Sequence, residues 1–255
     1  MVWLVRVMIW LVAVIAAVAI VIAFKYGAHQ VFFQQNPHFT LQNVSIEIVK
    51  GAISEREVRD NIGILPKMDN IFDVDLNELR QALLLHPLVQ EVEIRRRLPD
   101  MVHLKVYGRT PVAQLIRSGG RLIDSEGIVL PANATAEARG LPVITGIPRP
   151  KSYQIGKPIQ DSNVLSALRF LKLKKTLERG HLLDVDFIQL ERNEQFRVNL
   201  HGKSKYYIRD GAVVVIPTRD IELGLRKTFT ILDEQIAARE LTAFIDATYD
   251  RAPVK

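Results

Sequence analysis

The 255 residues contain no cysteine. Disulfides, a cysteine-ligated zinc and a thiol nucleophile are thereby excluded, while the compartment stays open. Cations outnumber anions, 34 against 28, yet no run of five basic residues occurs and Arg95-Arg96-Arg97 is the densest cluster. That is thin for a nucleic-acid footprint. A phosphate-cradling glycine loop is missing, because Gly156-Lys157 lacks the upstream glycine and Pro158 follows. Neither a Gly-x-Ser-x-Gly elbow nor a His-Glu-x-x-His pair is present. The six histidines stand singly, none at i, i+4 from another, so none is spaced to share a metal. Asp184 and Asp186 fall on one face of an expected strand. Two carboxylates so placed suit acid–base work or a cation, but the ordinary reading is a solvated strand face. Asn133-Ala134-Thr135 matches a glycosylation sequon, which matters only in a eukaryotic secretory setting. No internal repeat is found.

What is present begins with a charge-free run, Val7 to Phe24 (VMIWLVAVIAAVAIVIAF), about the length that spans a bilayer as a helix. Trp3 and Trp10 flank one end and Tyr26 the other, as interfacial aromatics do. A cleaved signal peptide is the competing reading. The apolar run is long for one, and Tyr26-Gly27-Ala28 puts a large residue where cleavage wants a small one. The expectation is a transmembrane helix over 7–26, a short cytoplasmic tail over 1–6 and a juxtamembrane connector over 27–38. Charge barely sets the orientation; the amino end is expected in the cytoplasm.

Two modules follow. Phe39–Lys50 alternates, with Val44, Ile46 and Ile48 on one face, and predicts a half-buried strand ended by Gly51. Ser54-Glu55-Arg56-Glu57 is a capping box opening a helix to about Asn61. Asp75-Leu76-Asn77-Glu78 opens a second, with Leu76, Leu79 and Leu83 on its apolar face and Pro87 beyond its end. Val92 and Ile94, then Val102, Leu104 and Val106, form the inward rows of a hairpin turning at Leu98-Pro99-Asp100. Arg95 and Arg97 share a side of this strand and Arg96 points opposite. The unit reads β-α-α-β-β.

The remainder is β-rich. Pro111–Ile116 and Arg121–Asp124 predict a hairpin over Ser118-Gly119-Gly120, with a short strand at Ile128–Leu130. Ala132–Pro150 reads as loop. Asp161 is expected to cap a helix from Ser162 to about Glu178, with Leu165, Leu168 and Leu171 on one face. Four strands are expected at Leu182–Leu190, Phe196–Leu200, Lys205–Ile208 and Ala212–Ile216. Thr218 is expected to cap a last helix, Arg219–Ala238, and Leu241–Thr248 is the final strand. The expected fold class is α+β: a transmembrane helix, a β-α-α-β-β domain over 39–110 and a β-rich α+β domain over 111–255.

This order of parts resembles the FtsQ/DivIB family of bacterial cell-division proteins, and the resemblance makes the β-α-α-β-β unit over 39–110 a POTRA-like domain. LQNVSIEIVKGAISEREVRDNIGI is similar to that family's opening strand, glycine and helix. LLLHPLVQEVEIRRRLPDMVHLKVYGRTPVAQL is similar to its most recognisable segment. LIDSEGIVLP, LPVITGI and AFIDATYDRAPVK resemble the hairpin, loop and final strand of its second domain. Two places depart from the pattern: Gly108-Arg109-Thr110 stands where a Glu is common, and Asp246-Ala247-Thr248 where Asp-Leu-Arg is frequent. The resemblance implies a non-enzymatic scaffold of the division septum in the bacterial cell (inner) membrane, with its bulk periplasmic. It would bind FtsB- and FtsL-like proteins and help control septal peptidoglycan synthesis. It implies no cofactor, small-molecule substrate or nucleic acid. The partner-binding strand it implies is Phe244, Ile245, Asp246, Ala247, Thr248 and Tyr249, with Tyr249 an aromatic anchor. Arg95, Arg96 and Arg97 are either a docking face or a solvated strand face. The rival readings are a POTRA-containing secretion or assembly factor, which normally carries several POTRA copies, an exported cell-wall enzyme using Asp184 and Asp186, and a DNA-binding membrane protein.

Overall fold

The computed structural model describes residues 2–29, 36–63, 70–115, 120–132, 140–147, 153–191 and 193–248. Helix α1 spans Val2–His29, and its described side chains are exposed, Trp10 and Phe24 among them. Among the described residues, no helix is long and apolar enough to cross a membrane.

The chain forms two compact units. One comprises Met1–Val49, Ser54–Leu84 and Glu91–Val106; the other comprises Lys50–Ile53, Leu85–Gln90 and Tyr107–Lys255. In the first, strand β1 is Asn43–Lys50, later than the alternation suggested. Pro37–Phe39 forms a single helical turn ahead of it, capped by Asn36. Helix α2, Glu55–Asn61, starts at the expected capping box. The Ser54 Oγ accepts from the Glu57 N–H at 3.2 Å, and the Glu57 carboxylate accepts from the Ser54 N–H at 2.8 Å. Helix α3, Leu76–Leu84, begins at Asp75, whose Oδ1 accepts from the Asn77 and Glu78 N–H groups at 2.8 and 3.2 Å. Those two bonds hold the Asp75 carboxyl below the usual carboxylate range, with Arg96 adding a smaller pull. Strands β2, Val89–Arg97, and β3, Met101–Gly108, flank a turn with a cis Leu98–Pro99 bond. The sheet order is β1-β3-β2. Val92, Ile94, Val102, Leu104 and Val106 are all buried, so the period-2 rows face the core as read.

The second unit carries an eight-stranded sheet in the order β11-β10-β9-β8-β7-β4-β5-β6. Its strands are β4 Pro111–Leu115, β5 Arg121–Asp124, β6 Val129–Leu130, β7 Val143–Thr145, β8 Val185–Leu190, β9 Gln195–Leu200, β10 Ile208–Pro217 and β11 Thr242–Asp246. Two helices, α4 (Ser162–Thr176) and α5 (Ile221–Ala238), pack on it, α4 toward β4 and β8 and α5 toward β10 and β11. Phe170 of α4 meets Phe196 of β9 edge to face at 5.5 Å, both fully buried.

Several local readings differ from this. Ala132–Pro150 holds a strand: β7 lies between β4 and β8, parallel to both, with Ile144 fully buried. Three residues between Pro142 and Gly146 are too few to show a period. Lys205–Ile208 is mostly a helical turn, Ser204–Tyr206, closed by Tyr207 in the left-handed region, and β10 begins only at Ile208. Asp161 caps α4 as expected, its Oδ1 accepting from Asn163 and Val164 N–H. The buried face, however, is Val164, Ala167, Leu168 and Phe170, and Leu165 is exposed. Helix α5 is capped by Asp220, which accepts from the Leu223 N–H at 3.0 Å. Thr218 instead donates its hydroxyl to the Glu194 carbonyl.

Two tight spots in the second unit explain residues that the sequence flags without explaining. Gly51 has φ +91°, and a Cβ there would lie 2.2 Å from the Gly108 carbonyl carbon; only glycine permits this backbone approach. The β4–β5 register sets Pro111 opposite Asp124, which brings Arg109 beside the Asp-Ser-Glu-Gly turn. The Arg109 guanidinium donates to Asp124 Oδ2 at 2.7 Å and to Glu126 Oε2 at 2.8 Å. The other oxygen of Asp124 accepts from the Glu126 and Ile128 N–H groups at 2.9 and 2.8 Å. Asp124 is 3 % exposed, so every contact of its carboxylate replaces water. Burial disfavours the Arg109 charge, but the hydrogen bonds to Glu126 and Asp124 outweigh it and raise the guanidinium pKa.

Removing Arg109 leaves a buried carboxylate uncompensated. Arg109→Ala is expected to lower unfolding free energy by about 3–5 kcal/mol in denaturant titrations, and Arg109→Lys to recover only part of it, lacking the planar fork. The Glu126 carboxyl is held below its usual range, chiefly by the hydrogen bond from Arg109. A carboxyl whose pKa falls on folding stabilises above its unfolded value and loses that contribution as pH drops through its folded value. Wild type should therefore lose stability more steeply on acidification than Glu126→Gln, as read from thermal midpoints across the acidic range.

Candidate functional site

The final strand forms one end of the large sheet. Its position is set from α5. At the end of that helix Arg239 adopts the left-handed conformation, φ 56°, and the Glu240 N–H donates back to the Gln235 carbonyl at 2.9 Å. Two residues later β11 starts with buried Thr242, which donates its hydroxyl to the Gln235 side chain. The strand runs parallel to β10, pairing Phe244 with Val213, Ile245 with Val214 and Asp246 with Val215. The Thr242 N–H donates to the Tyr207 carbonyl at 2.7 Å and the Ala247 N–H to the Val215 carbonyl at 3.0 Å.

Side chains alternate along this strand. Ile245 and Ala247 are buried at 0 % and 1 % exposure and belong to the core; Phe244 and Asp246 lie on the other face, half-buried. In a parallel ladder alternate residues direct both backbone groups to one neighbour. The register shifts between the Ile208–Thr242 pair and the Val213–Phe244 pair, so the alternation set by Thr242 does not carry on; with Ala247, and therefore Ile245, turned to β10, the N–H and C=O of Phe244 and Asp246 point to the open side. No strand pairs there among the described residues. The Asp246 carboxylate then accepts from the Thr248 N–H at 3.0 Å and hydroxyl at 2.5 Å, a turn that ends the edge. The structure thus gathers Phe244 through Thr248 at one open strand; Tyr249 lies outside the described residues.

The arginine trio separates by role. Arg96 donates from Nε to the Ile71 carbonyl at 2.8 Å and from a terminal nitrogen to the Val74 carbonyl at 2.6 Å. It clamps the segment leading into α3. Arg95, on the opposite side of the strand, pairs with Glu93 at 3.2 Å and is 75 % exposed in its side chain. Arg97 makes no hydrogen bond or ion pair among the described residues. The two aspartates considered for catalysis also diverge: Asp184 sits 3.4 Å from the half-buried Lys203 ammonium and Asp186 3.7 Å from the exposed His201. Among the described residues, no group of three His, Asp or Glu side chains is arranged to hold a metal ion.

The chain thus carries a β-α-α-β-β module followed by a sheet whose last strand, β11, runs parallel to β10 and is open on its other side among the described residues. Residues 39–108 match the FtsQ-type POTRA domain. The chain is 30 % identical over 217 residues to the cell division protein FtsQ of Myxococcus fulvus, covering 85 % of this chain and 72 % of that protein. It is 21 % identical over 226 residues to the cell division protein DivIB of Clostridium tetani, covering 86 % and 80 %. With the cell division protein FtsQ of Neisseria meningitidis it shares 29 % identity over 139 residues, covering 53 % and 56 %. The chain belongs to the FtsQ/DivIB family of cell-division proteins.

The roles of the arginines are separable by experiment. Arg96→Ala is expected to destabilise the first unit by about 1 kcal/mol or more, since two carbonyls lose a charged donor. Arg97→Ala should stay within about 0.5 kcal/mol of wild type. Urea midpoints of the two variants make the comparison.

Proposed function

We propose that this protein is a non-enzymatic scaffold of the division septum, held in the bacterial inner membrane by α1, with the amino end cytoplasmic and the bulk outside. It works by contact with FtsB- and FtsL-like division proteins and helps control septal peptidoglycan synthesis. The observation that carries this reading is the open edge at β11 in a chain of this family. Unpaired N–H and C=O groups on an edge strand accept an added strand, and alternate side chains select its sequence. Phe244, half-buried beside that edge, supplies an aromatic anchor. The exposed apolar side chains around α1 support the anchor, because a helix apolar on all sides requires an apolar surrounding. A membrane anchor also confines the scaffold to the surface where its partners lie, which raises their effective concentration.

The arrangement of Asp184 and Asp186 speaks against the exported-enzyme reading, since each carboxylate faces its own neighbour, Lys203 for Asp184 and His201 for Asp186, rather than the other.

The test is a proline at the edge. The Phe244 N–H faces away from β10, so proline is compatible with the fold there but removes a donor from an incoming strand. Phe244→Pro should keep the thermal midpoint, weaken binding of a purified FtsB-like partner at least about tenfold, and fail to restore division in cells depleted of the native copy. Asp184→Ala with Asp186→Ala should restore it fully. Unchanged partner binding by Phe244→Pro would move the partner site away from β11.

A further inference from the structure

The second unit has a cleft of about 850 Å³ far from β11 in the strand order, walled by the carboxyl-terminal half of α4, the start of β4 and the segment Gly140–Pro142. Its floor is apolar, with Leu168 buried and Leu171 half-buried. Its polar lining is unbalanced. Of its three carboxylates, Asp124 is matched by Arg109 at 2.7 Å and Asp184 by Lys203 at 3.4 Å, which leaves Glu178 alone against the lysines. Lys172, Lys174 and Lys175 also line it, and none of the three makes a hydrogen bond or ion pair among the described residues. Burial holds the Lys174 ammonium below the ordinary lysine range, and nearby Lys203 adds to this while Asp184 opposes it. Asp184, already paired with Lys203, offsets the cost of this half-buried ammonium only in part, and a further carboxylate brought to it recovers more.

We propose that this cleft is a second docking site, taking a short acidic segment of a partner protein whose carboxylates meet Lys172, Lys174 and Lys175 while its apolar side chains sit on Leu168 and Leu171. The shape selects a peptide over a membrane: a concave site of this volume encloses a few residues, whereas a lipid surface needs a convex or flat cationic face. Three lysines are also too few for a nucleic-acid track. The site is separate from the β11 edge and stands whether or not that edge binds a division protein.

The probe is a fluorescein-labelled alternating Glu-Leu hexapeptide, added to the full chain in detergent micelles and followed by anisotropy. Binding should weaken with added salt, fall at least about fivefold in Lys174→Gln and in Lys172→Gln, and persist in Phe244→Pro. A Lys-Leu hexapeptide should not bind. Because a buried substitution can disturb folding, a second readout uses wild type: the Glu-Leu peptide should slow acylation of Lys174 by an amine reagent, site by site in a mass spectrum. Equal affinity of both lysine variants, or unprotected Lys174, overturns the proposal. So does loss of binding in Phe244→Pro, which would place the peptide on the edge strand. Capture of phosphatidylglycerol vesicles through these lysines, without peptide binding, overturns it in favour of a lipid contact.

Discussion

The carboxylate of Asp124 is the constraint on which the second unit depends. One oxygen closes the turn between β5 and β6 by accepting two backbone N–H groups, and the other receives Arg109, which lies just before β4. A single buried charge therefore ties the start of the eight-stranded sheet to its far hairpin. The arrangement tolerates burial because both oxygens are hydrogen-bonded and an ionised partner lies at 2.7 Å. Arg109, just ahead of Pro111-Val112-Ala113, finds both of its counterparts, Asp124 and Glu126, across the hairpin.

The parts of the fold legible in the sequence are those fixed by neighbours in the chain. The Ser54 capping box, the Asp161 cap and the inward rows of the β2–β3 hairpin each depend on residues within a few positions, and each is found where its pattern stands. The parts that were not legible depend on distant partners. β7 is three residues long and exists because β4 and β8 flank it. Thr218 and Asp220 both look like caps, and tertiary position decides: the Thr218 hydroxyl is taken by the Glu194 carbonyl, leaving Asp220 to the helix. The α4 face shifts from Leu165 to Val164 and Phe170 because Phe170 finds Phe196 on a strand some two dozen residues away. Arg96 shows the same limit at the candidate site. Alternation separates it from Arg95 correctly, but nothing local says that its guanidinium closes on the carbonyls of Ile71 and Val74.

The edge at β11 was legible in part. The sequence marks a final strand, and family resemblance points to it as a contact surface. Which backbone groups face outward is a matter of parity. The bond from the Ala247 N–H to Val215 fixes it, turning Phe244 and Asp246 to the open side. The Asp246 side chain, by closing on Thr248, limits how far an added strand can run. A surface of this kind is short, directional and mostly main chain, so sequence change along it is constrained at the buried residues Ile245 and Ala247 more than at the exposed ones.

Parallel pairing of β11 with β10 has a temporal consequence. Two parallel neighbours cannot be joined by a tight turn; the chain must travel back along α5 before the last strand can enter. During synthesis β10 emerges first and stands as a provisional rim, and it is covered only after the whole of α5 and then β11 have left the ribosome. The open rim of the sheet thus passes from β10 to β11 only when the last strand enters, and with it the row of side chains that the rim displays changes from that of β10 to that of β11.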